Sequence, residues 1–278
     1  HYYFSALNIY KNAHDTDGIG RSLSNLGIIY MERGNLTKAL ERYLEASKIK
    51  EKQQDKFFLS GIVTNIGQIY SKQKNYSQAL VYYSKAKKIN MHLKDKVGIA
   101  NSYSNIGSCY YNMGNFDSSL VNHLAASEYY EETKNKHGLA YAYNSIGEIY
   151  TKKEKRTDAL IQFEKALLIR KEIGERKGEL ITLYNIADIY RSNQNYNQAI
   201  TYFNQSLAIA EEIHSTYSIS EINYELSSTY EILKDYSKSL IYYKQHIKYK
   251  DSIFNKESND KLLTLETQYE TEKKEKEI

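Results

Sequence analysis

A tyrosine recurs every 40 residues along this 278-residue chain, at Tyr30, Tyr70, Tyr110, Tyr150, Tyr190 and Tyr230. A fixed period of this length is typical of a chain built from one small structural unit that is repeated and stacked. Such a stack presents an extended surface rather than one deep pocket. The period therefore favours a binding function over a catalytic one.

Further rows with the same period indicate that each unit is a pair of helices. Three residues before each tyrosine stands a small residue: Gly27, Gly67, Gly107, Gly147, Ala187 and Ser227. In the first copy, small and apolar residues fall at positions 23, 26, 27 and 30, and again at 36, 39, 40, 43 and 46. Both runs have helical spacing. The turn signal Gly34-Asn35 separates them, and the chain contains no proline that would break a helix.

The small and large rows predict how the two helices of a hairpin pack. Small residues at positions 27 and 39 allow a close approach, and the rings at positions 30 and 43 fill the space beside them. One hairpin buries too little apolar surface to offset the entropy lost on ordering it. Its stability must therefore come from stacking on its neighbours.

The spacing Leu23-x-x-Leu26-Gly27-x-x-Tyr30, followed by Ala39, Tyr43 and Ala46, resembles the tetratricopeptide repeat. The terminal proline of that repeat is absent, and the 40-residue length is similar to the repeats of the Pins/LGN group and of kinesin light chain. The resemblance implies an all-α, right-handed superhelical solenoid. Residues 1–18 would hold the second helix of a truncated repeat, residues 19–252 six hairpins, and residues 253–278 a capping or coiled-coil-like connector helix.

In tetratricopeptide arrays the first helix of each hairpin lines the concave face, and two adjacent rows of this chain take that place. One row is rich in asparagine. Because asparagine is a mediocre helix former, its recurrence at one position of the helices requires an explanation. The resemblance implies a ladder of amides that bind the backbone of an extended peptide; alternatively, the amides tie adjacent hairpins together. The candidate peptide-binding residues are Asn25, Asn65, Asn105, Asn144, Asn185, Gln68, Tyr111, Glu148, Tyr184, Asp188, Arg191 and Tyr224.

The carboxyl-terminal half of the same surface is acidic. It carries Glu148, Asp188, Glu221, Glu225 and Glu231 against the single Arg191, whereas the amino-terminal half is nearly neutral. We therefore expect a bound segment to place a basic residue toward repeats four to six. The alternative is an ordinary solvated face.

No pattern in the chain predicts catalysis, a cofactor or a metal. Cys109 stands in the row of Ile29, Ile69, Ile149 and Ile189, which indicates a small buried side chain. The seven histidines lack metal-ligand spacing. The net charge of +4 is spread along the chain without a basic–aromatic cluster, so we expect no nucleic-acid binding by this segment. No apolar run is long enough to span a membrane, so we expect a membrane only through a segment outside this chain.

The string KDSIFNKESNDKLLTLETQYETEKKEKEI resembles the end of the tetratricopeptide sensor region in regulators of Bacteroidetes-type bacteria. In those proteins the array is followed by a helical connector and then by a histidine kinase or a DNA-binding output domain. The resemblance implies the sensory part of a bacterial signal-transduction regulator, with the periplasmic side of a membrane anchor favoured and the cytoplasm possible. The alternative is an assembly scaffold that self-associates through its open ends, where Tyr3, Ala6 and Ile9 lack a partner helix.

Overall fold

The computed structural model describes residues 2–252, and every regular element in that range is an α-helix. The chain divides into two compact units, residues 1–162 and 163–278. The first unit contains α1 (Tyr2–Asn12), α2 (Thr16–Glu32), α3 (Leu36–Lys52), α4 (Lys56–Lys72), α5 (Tyr76–Leu93), α6 (Lys96–Asn112), α7 (Phe116–Glu132) and α8 (Lys136–Lys152). Helix α9 (Arg156–Glu172) spans the division. The second unit contains α10 (Arg176–Ser192), α11 (Tyr196–Glu212), α12 (Thr216–Ile232) and α13 (236–252).

Consecutive helices pack as hairpins, and consecutive hairpins pack on each other. In the first unit the hairpins include α2 with α3, α4 with α5, and α6 with α7, and α3 packs on α4 and α5 on α6. In the second unit α10 pairs with α11, and α11 packs on α12. The predicted all-α class built from stacked hairpins is confirmed. Helix α2 begins at Thr16 and not at residue 19, because the Asp15 side chain accepts a hydrogen bond from the Gly18 amide and caps the helix there. The predicted connector at 253–278 lies outside the described residues.

Each turn between helices is built on a residue with left-handed backbone conformation, and these residues are 20 positions apart. Gly34 and Gly114 have φ of 75° and 77°, and Lys74 adopts 58° at the equivalent place. In most turns the next residue is an asparagine or aspartate, such as Asn75, whose side chain accepts a hydrogen bond from the Gln78 amide at 3.2 Å. The same turn therefore serves within hairpins and between them. The sequence pattern had indicated it only within hairpins.

The predicted close approach of the helices occurs at the small row. A Cβ atom added to Gly67 would lie 2.7 Å from the Tyr83 ring, and one added to Gly107 would lie 2.7 Å from the His123 ring. Both rings are almost completely buried. The absence of a side chain on the first helix is what leaves room for the ring of the second.

The periodic tyrosines are half-buried packing residues. Tyr70 stacks on Tyr82, with ring centroids 5.4 Å apart. Tyr190 stacks on Tyr202 at 5.4 Å, and Tyr230 on Tyr242 at 5.5 Å. In these three pairs the partner ring stands twelve residues further on, in the second helix of the same hairpin. These stacks hold the two helices of a hairpin together at their turn end.

A row of buried polar residues near the end of each second helix makes contacts both within its own hairpin and to the next one, and the apolar rows of the sequence do not indicate it. Lys50 is fully buried, and its ammonium group binds the Asp17 and Asp55 carboxylates. Forty residues later Asn90 donates to the Ser102 hydroxyl at 3.2 Å. The row continues with Tyr130, whose hydroxyl donates to the Asn101 side chain at 2.8 Å, and with Arg170, which donates to the Gly178 carbonyl at 2.7 Å.

The ring row predicted at position 43 fails in its sixth copy. Tyr43, Tyr83, Phe163 and Phe203 are buried, but Tyr243 is 47% exposed.

Candidate functional site

A stripe of half-buried amides runs across the first helices of three successive hairpins in the first unit. We call Asn25 on α2, Asn65 on α4 and Asn105 on α6 the amide stripe. In each helix the residue four positions earlier is exposed: Arg21, Gly61 and Asn101. In each helix the residue three positions later is half-buried or exposed. On α4 this residue is the predicted Gln68. Positions i, i+4 and i+7 lie on one helix face, so the stripe sits at the middle of a surface open to solvent.

The three amides of the stripe differ in their hydrogen bonding. Asn65 lies beside the phenol of Tyr43 in the preceding hairpin and opposes the rise of the Tyr43 pKa, which burial brings to about 12. Their geometry falls short of a normal hydrogen bond. Within residues 2–252, the side chains of Asn25 and Asn105 form no hydrogen bond. Asn65 therefore fits the alternative that amides link hairpins, whereas Asn25 and Asn105 have donors and acceptors open to a ligand.

Asn144, predicted as a peptide-binding residue, lies below the surface and leaves the candidate set. It is only 6% exposed, and its Nδ2 donates to Glu148 Oε1 at 2.7 Å. Asn144 stands one position before the row of Asn25, in the row that also contains the buried Ser24 and Ser104. The position on α8 that corresponds to the amide stripe is occupied by Ser145, which is buried as well.

The first helices α6 and α8 of two neighbouring hairpins meet edge to edge, so their open faces form one continuous surface. The hydroxyls of Ser108 on α6 and Tyr141 on α8 are 3.3 Å apart. Tyr111 packs edge-on against Phe116, with centroids 5.6 Å apart. Burial raises the pKa of Tyr111, and the charge of Glu148 adds to the rise. The predicted Tyr111 and Glu148 are thus brought together across α6 and α8.

In the second unit the predicted residues form a polar network between α10 and α12. Arg191 forms an ion pair with Asp188 at 2.7 Å and a second one with Glu225. The Tyr184 hydroxyl donates to Glu225 Oε1 at 3.2 Å, and its ring packs edge-on against Phe203. Asp188 and Glu225 are therefore already neutralised in part. The predicted acidic surface is therefore limited to the carboxylates that do not form an ion pair with Arg191.

The remaining predicted residues of the second unit take different places. Tyr224 on α12 is half-exposed, and its ring centroid lies 5.2 Å from that of His246 on α13. Asn185 occupies the position on α10 that corresponds to the amide stripe and is half-buried. Both residues remain candidates for ligand contact on this unit's own surface.

The groups with reactive chemistry are buried packing residues. Cys109 is 1% exposed, and burial raises its pKa to about 11, which opposes formation of a nucleophilic thiolate. His123 is equally buried, and burial lowers its pKa to about 4. Among the residues that the structure describes, no group of three or more metal-ligating side chains comes together, and no helix is long and apolar enough to cross a membrane.

The sequence matches profiles of the tetratricopeptide repeat over most of its length. One profile covers residues 98–172 and 178–252, a second covers 64–90 and a third covers 22–57. The chain belongs to the tetratricopeptide repeat family. The resemblance noted in the spacing of Leu26, Gly27 and Tyr30 is thereby confirmed.

Solved structures share the tetratricopeptide fold at low sequence identity. BtubC from P. vanneervenii is 20% identical over 76% of this chain and 88% of its own, with a TM-score of 0.67. A Rap protein in complex with Competence and Sporulation Factor is 14% identical over 85% of this chain and 76% of its own, with a TM-score of 0.65. At such identities the likeness concerns the fold alone.

A third relative carries the tetratricopeptide repeat as a sensor. It is a Signal Transduction ATPase with Numerous Domains from Pyrococcus horikoshii, 18% identical over 88% of this chain and 44% of its own, with a TM-score of 0.66. No curated protein sequence matches the chain.

Proposed function

We propose that this tetratricopeptide repeat chain binds an extended peptide segment across the first helices of its hairpins. The observation that carries the proposal is the amide stripe. Asn25 and Asn105 recur at one register, lie half-buried on an open face and form no hydrogen bond within the described residues. An extended peptide backbone offers alternating donors and acceptors that match such amides. Half-burial strengthens each hydrogen bond, because less water competes for it.

The comparisons support a peptide as the ligand class. The Rap structure whose fold this chain shares holds Competence and Sporulation Factor, and another Rap regulator, with a TM-score of 0.54, holds the Phr* peptide. The chain itself has the necessary elements, since its open face follows the first helices and carries no catalytic grouping among the described residues. Binding without catalysis is accordingly part of the proposal.

The test is to select ligands from a random peptide library displayed against the full chain and to measure their affinity by fluorescence anisotropy. Asn25→Ala with Asn105→Ala should weaken binding about tenfold, because each hydrogen bond contributes about 0.5–1.5 kcal/mol. Asn8→Ala, an exposed asparagine on α1, is the matched control and should leave affinity unchanged. Unchanged affinity in the double variant, with its circular dichroism intact, would refute the proposal.

The proposed cellular role is the sensory part of a bacterial signal-transduction regulator, on the periplasmic side of a membrane anchor. Its support is the likeness of residues 250–278 to the end of such sensor regions, together with the tetratricopeptide repeat sensor of the Pyrococcus relative. A ligand that spans several hairpins would act by preferring one arrangement of them over another. Expression of the full-length gene product with a periplasmic and a cytoplasmic reporter fusion tests the location; activity only of the cytoplasmic fusion would contradict it.

Self-association through the first helix is a second candidate, favoured by one observation. Helix α1 exposes Tyr2 and Ile9, which are 91% and 65% exposed and stand seven residues apart on one face of the helix. Large exposed apolar side chains that share a face mark a candidate interaction surface. Sedimentation velocity across a concentration series tests this function, and Tyr2→Ser with Ile9→Ser should shift the distribution to monomer. A chain that is monomeric at every concentration would exclude it.

A further inference from the structure

A cleft lies between α10 and α12 in the second unit, beside the polar network of Arg191. It has a volume of about 220 Å³ and is lined by Leu180, Ile181, Tyr184, Tyr217, Ser218, Glu221 and Ile222. Its walls are aliphatic below and aromatic at the rim. Tyr217 is 67% exposed, so its ring is free to pack against an incoming group.

Glu221 is the only carboxylate among the described residues that line the cleft. Glu221 is half-buried and forms no ion pair within the residues that the structure describes. Arg191 is occupied by Asp188 and Glu225. Lys177, one turn before Ile181 on α10, forms no ion pair within residues 2–252 either. A half-buried carboxylate without a cation is poorly compensated, and a bound cation would correct this.

The electrostatic potential in the cleft is negative, which favours the binding of a cation. Burial raises the pKa of the Tyr184 phenol, and the negative charges of Asp188 and Glu221 raise it further, against the opposing charge of Arg191. Counting one charge for each of Asp188, Glu221 and Glu225 against Arg191, the group carries a net charge of −2.

We infer that this cleft is a subsite, on the second unit's own surface, for an arginine side chain of a peptide ligand. The inference rests on the proposed function, since it names one residue of that ligand. The methylene stem of arginine would lie against Ile181 and Ile222, and the planar guanidinium would bind Glu221 and stack on the Tyr217 ring. Arginine combines these properties because its guanidinium is flat, permanently charged and weakly hydrated. A purely apolar residue would bury the Glu221 carboxylate without a partner.

The experiment uses the full chain with ¹³C-labelled isoleucine methyl groups and follows Ile181 and Ile222 by NMR. The probe is N-acetyl-arginine amide. Its matched control is N-acetyl-citrulline amide, which keeps the shape and loses the charge. The arginine probe should shift both methyl signals saturably and bind about tenfold more tightly than the citrulline probe, a factor that corresponds to 1.4 kcal/mol.

Variants separate the subsite from general charge. Glu221→Gln should weaken the arginine probe about tenfold, and Tyr217→Ser, which removes an exposed ring, severalfold. Glu164→Gln, an exposed glutamate on α9, should change nothing. The inference is overturned if Glu221→Gln binds the arginine probe as the parent chain does, if the citrulline probe binds equally well, or if N-acetyl-phenylalanine amide binds more tightly than either.

Failure of the subsite and failure of the proposed function give different results. If library-selected peptides depend on Asn25 and Asn105 but not on Glu221, the subsite is wrong and peptide binding on the amide stripe stands. If the arginine probe binds in the cleft while no peptide is selected, the subsite stands and the proposed function is wrong.

Discussion

At the scale of single residues, the close approach of the two helices of a hairpin depends on a glycine, which leaves room for a ring of the second helix. Gly67 on α4 faces the Tyr83 ring, which is 3% exposed and has no space to withdraw. Gly61, on the same helix, faces open solvent, and no atom lies within 4 Å of a Cβ added there. Substitutions at the two positions therefore distinguish the packing role of glycine from its low helix propensity.

Gly67→Ala should destabilise the chain by about 1–2 kcal/mol, because the clash with Tyr83 outweighs the gain in helix propensity. Gly61→Ala should stabilise it by about 0.5–1 kcal/mol, since only the propensity changes. Urea unfolding followed by circular dichroism measures both. Equal effects of the two substitutions would show that the close approach at Gly67 is not what the row of small residues provides.

His123 makes stability depend on pH. Burial lowers its pKa from 6.5 to about 4, and its Nδ1 has no hydrogen-bond partner among the described residues. Between these two values the unfolded chain binds a proton that the folded chain does not, so the free energy of unfolding falls as the pH falls through this window. Between pH 6.5 and 5 the loss is about 2 kcal/mol.

His123→Phe, which restores the ring found at positions 163 and 203, should abolish that part of the pH dependence. Denaturation midpoints at pH 7 and pH 5 for both proteins provide the measurement, and their difference cancels the titration of the carboxylates. If the parent chain and the variant lose equal stability at pH 5, His123 does not carry the effect.

At the scale of elements, the recurring turn joins helices with one backbone geometry and several residue types. Lys74 adopts the left-handed conformation that glycine adopts at Gly34 and Gly114. A residue with a side chain loses about 1–2 kcal/mol of stability in this conformation. Glycine avoids this loss, but its own greater loss of conformational entropy on folding offsets part of the gain. The Asn75 cap, which accepts from the Gln78 amide, keeps the turn in place despite this cost.

Lys74→Gly should therefore stabilise the chain by about 0.5–1 kcal/mol, and Gly114→Lys should destabilise it by about the same amount. Lys88→Gly, in the exposed middle of α5, is the control of opposite sign and should cost about 1 kcal/mol. Thermal unfolding of the three variants provides the comparison. If Lys74→Gly instead destabilised the chain, the left-handed conformation of Lys74 would not be a strain that glycine relieves.

At the scale of the whole molecule, the 40-residue period was sufficient to predict the hairpins and their core. It could place Leu26, Gly67 and Cys109 in the interior because burial follows the register that repeats. It could not predict that the buried Lys50 pairs with Asp17 of its own hairpin, 33 residues away in sequence, and with Asp55 at the start of the next hairpin. Contacts between hairpins depend on how the repeats stack, and the period alone does not specify this.

The candidate site was predicted with less success for the same reason. The row of Asn25 and Asn105 was identified from its period and lies on the open face, but Asn144, one register away, is buried. Arg191 was predicted as a peptide-binding residue on an acidic surface, and in the structure it forms ion pairs with Asp188 and Glu225. Side chains that pair across hairpins remove themselves from the ligand surface, and only the three-dimensional structure shows which ones do.

The central claim is that the amide stripe binds the backbone of a peptide, and a double-mutant cycle tests it most directly. The dissociation constant of a selected peptide is measured with and without N-methylation of each backbone amide, on the parent chain and on Asn105→Ala. If Asn105 accepts from one backbone amide, N-methylation there should weaken binding about fivefold to tenfold on the parent chain and leave the variant unaffected. N-methylation that weakens the parent chain and the variant equally at every position would contradict the account.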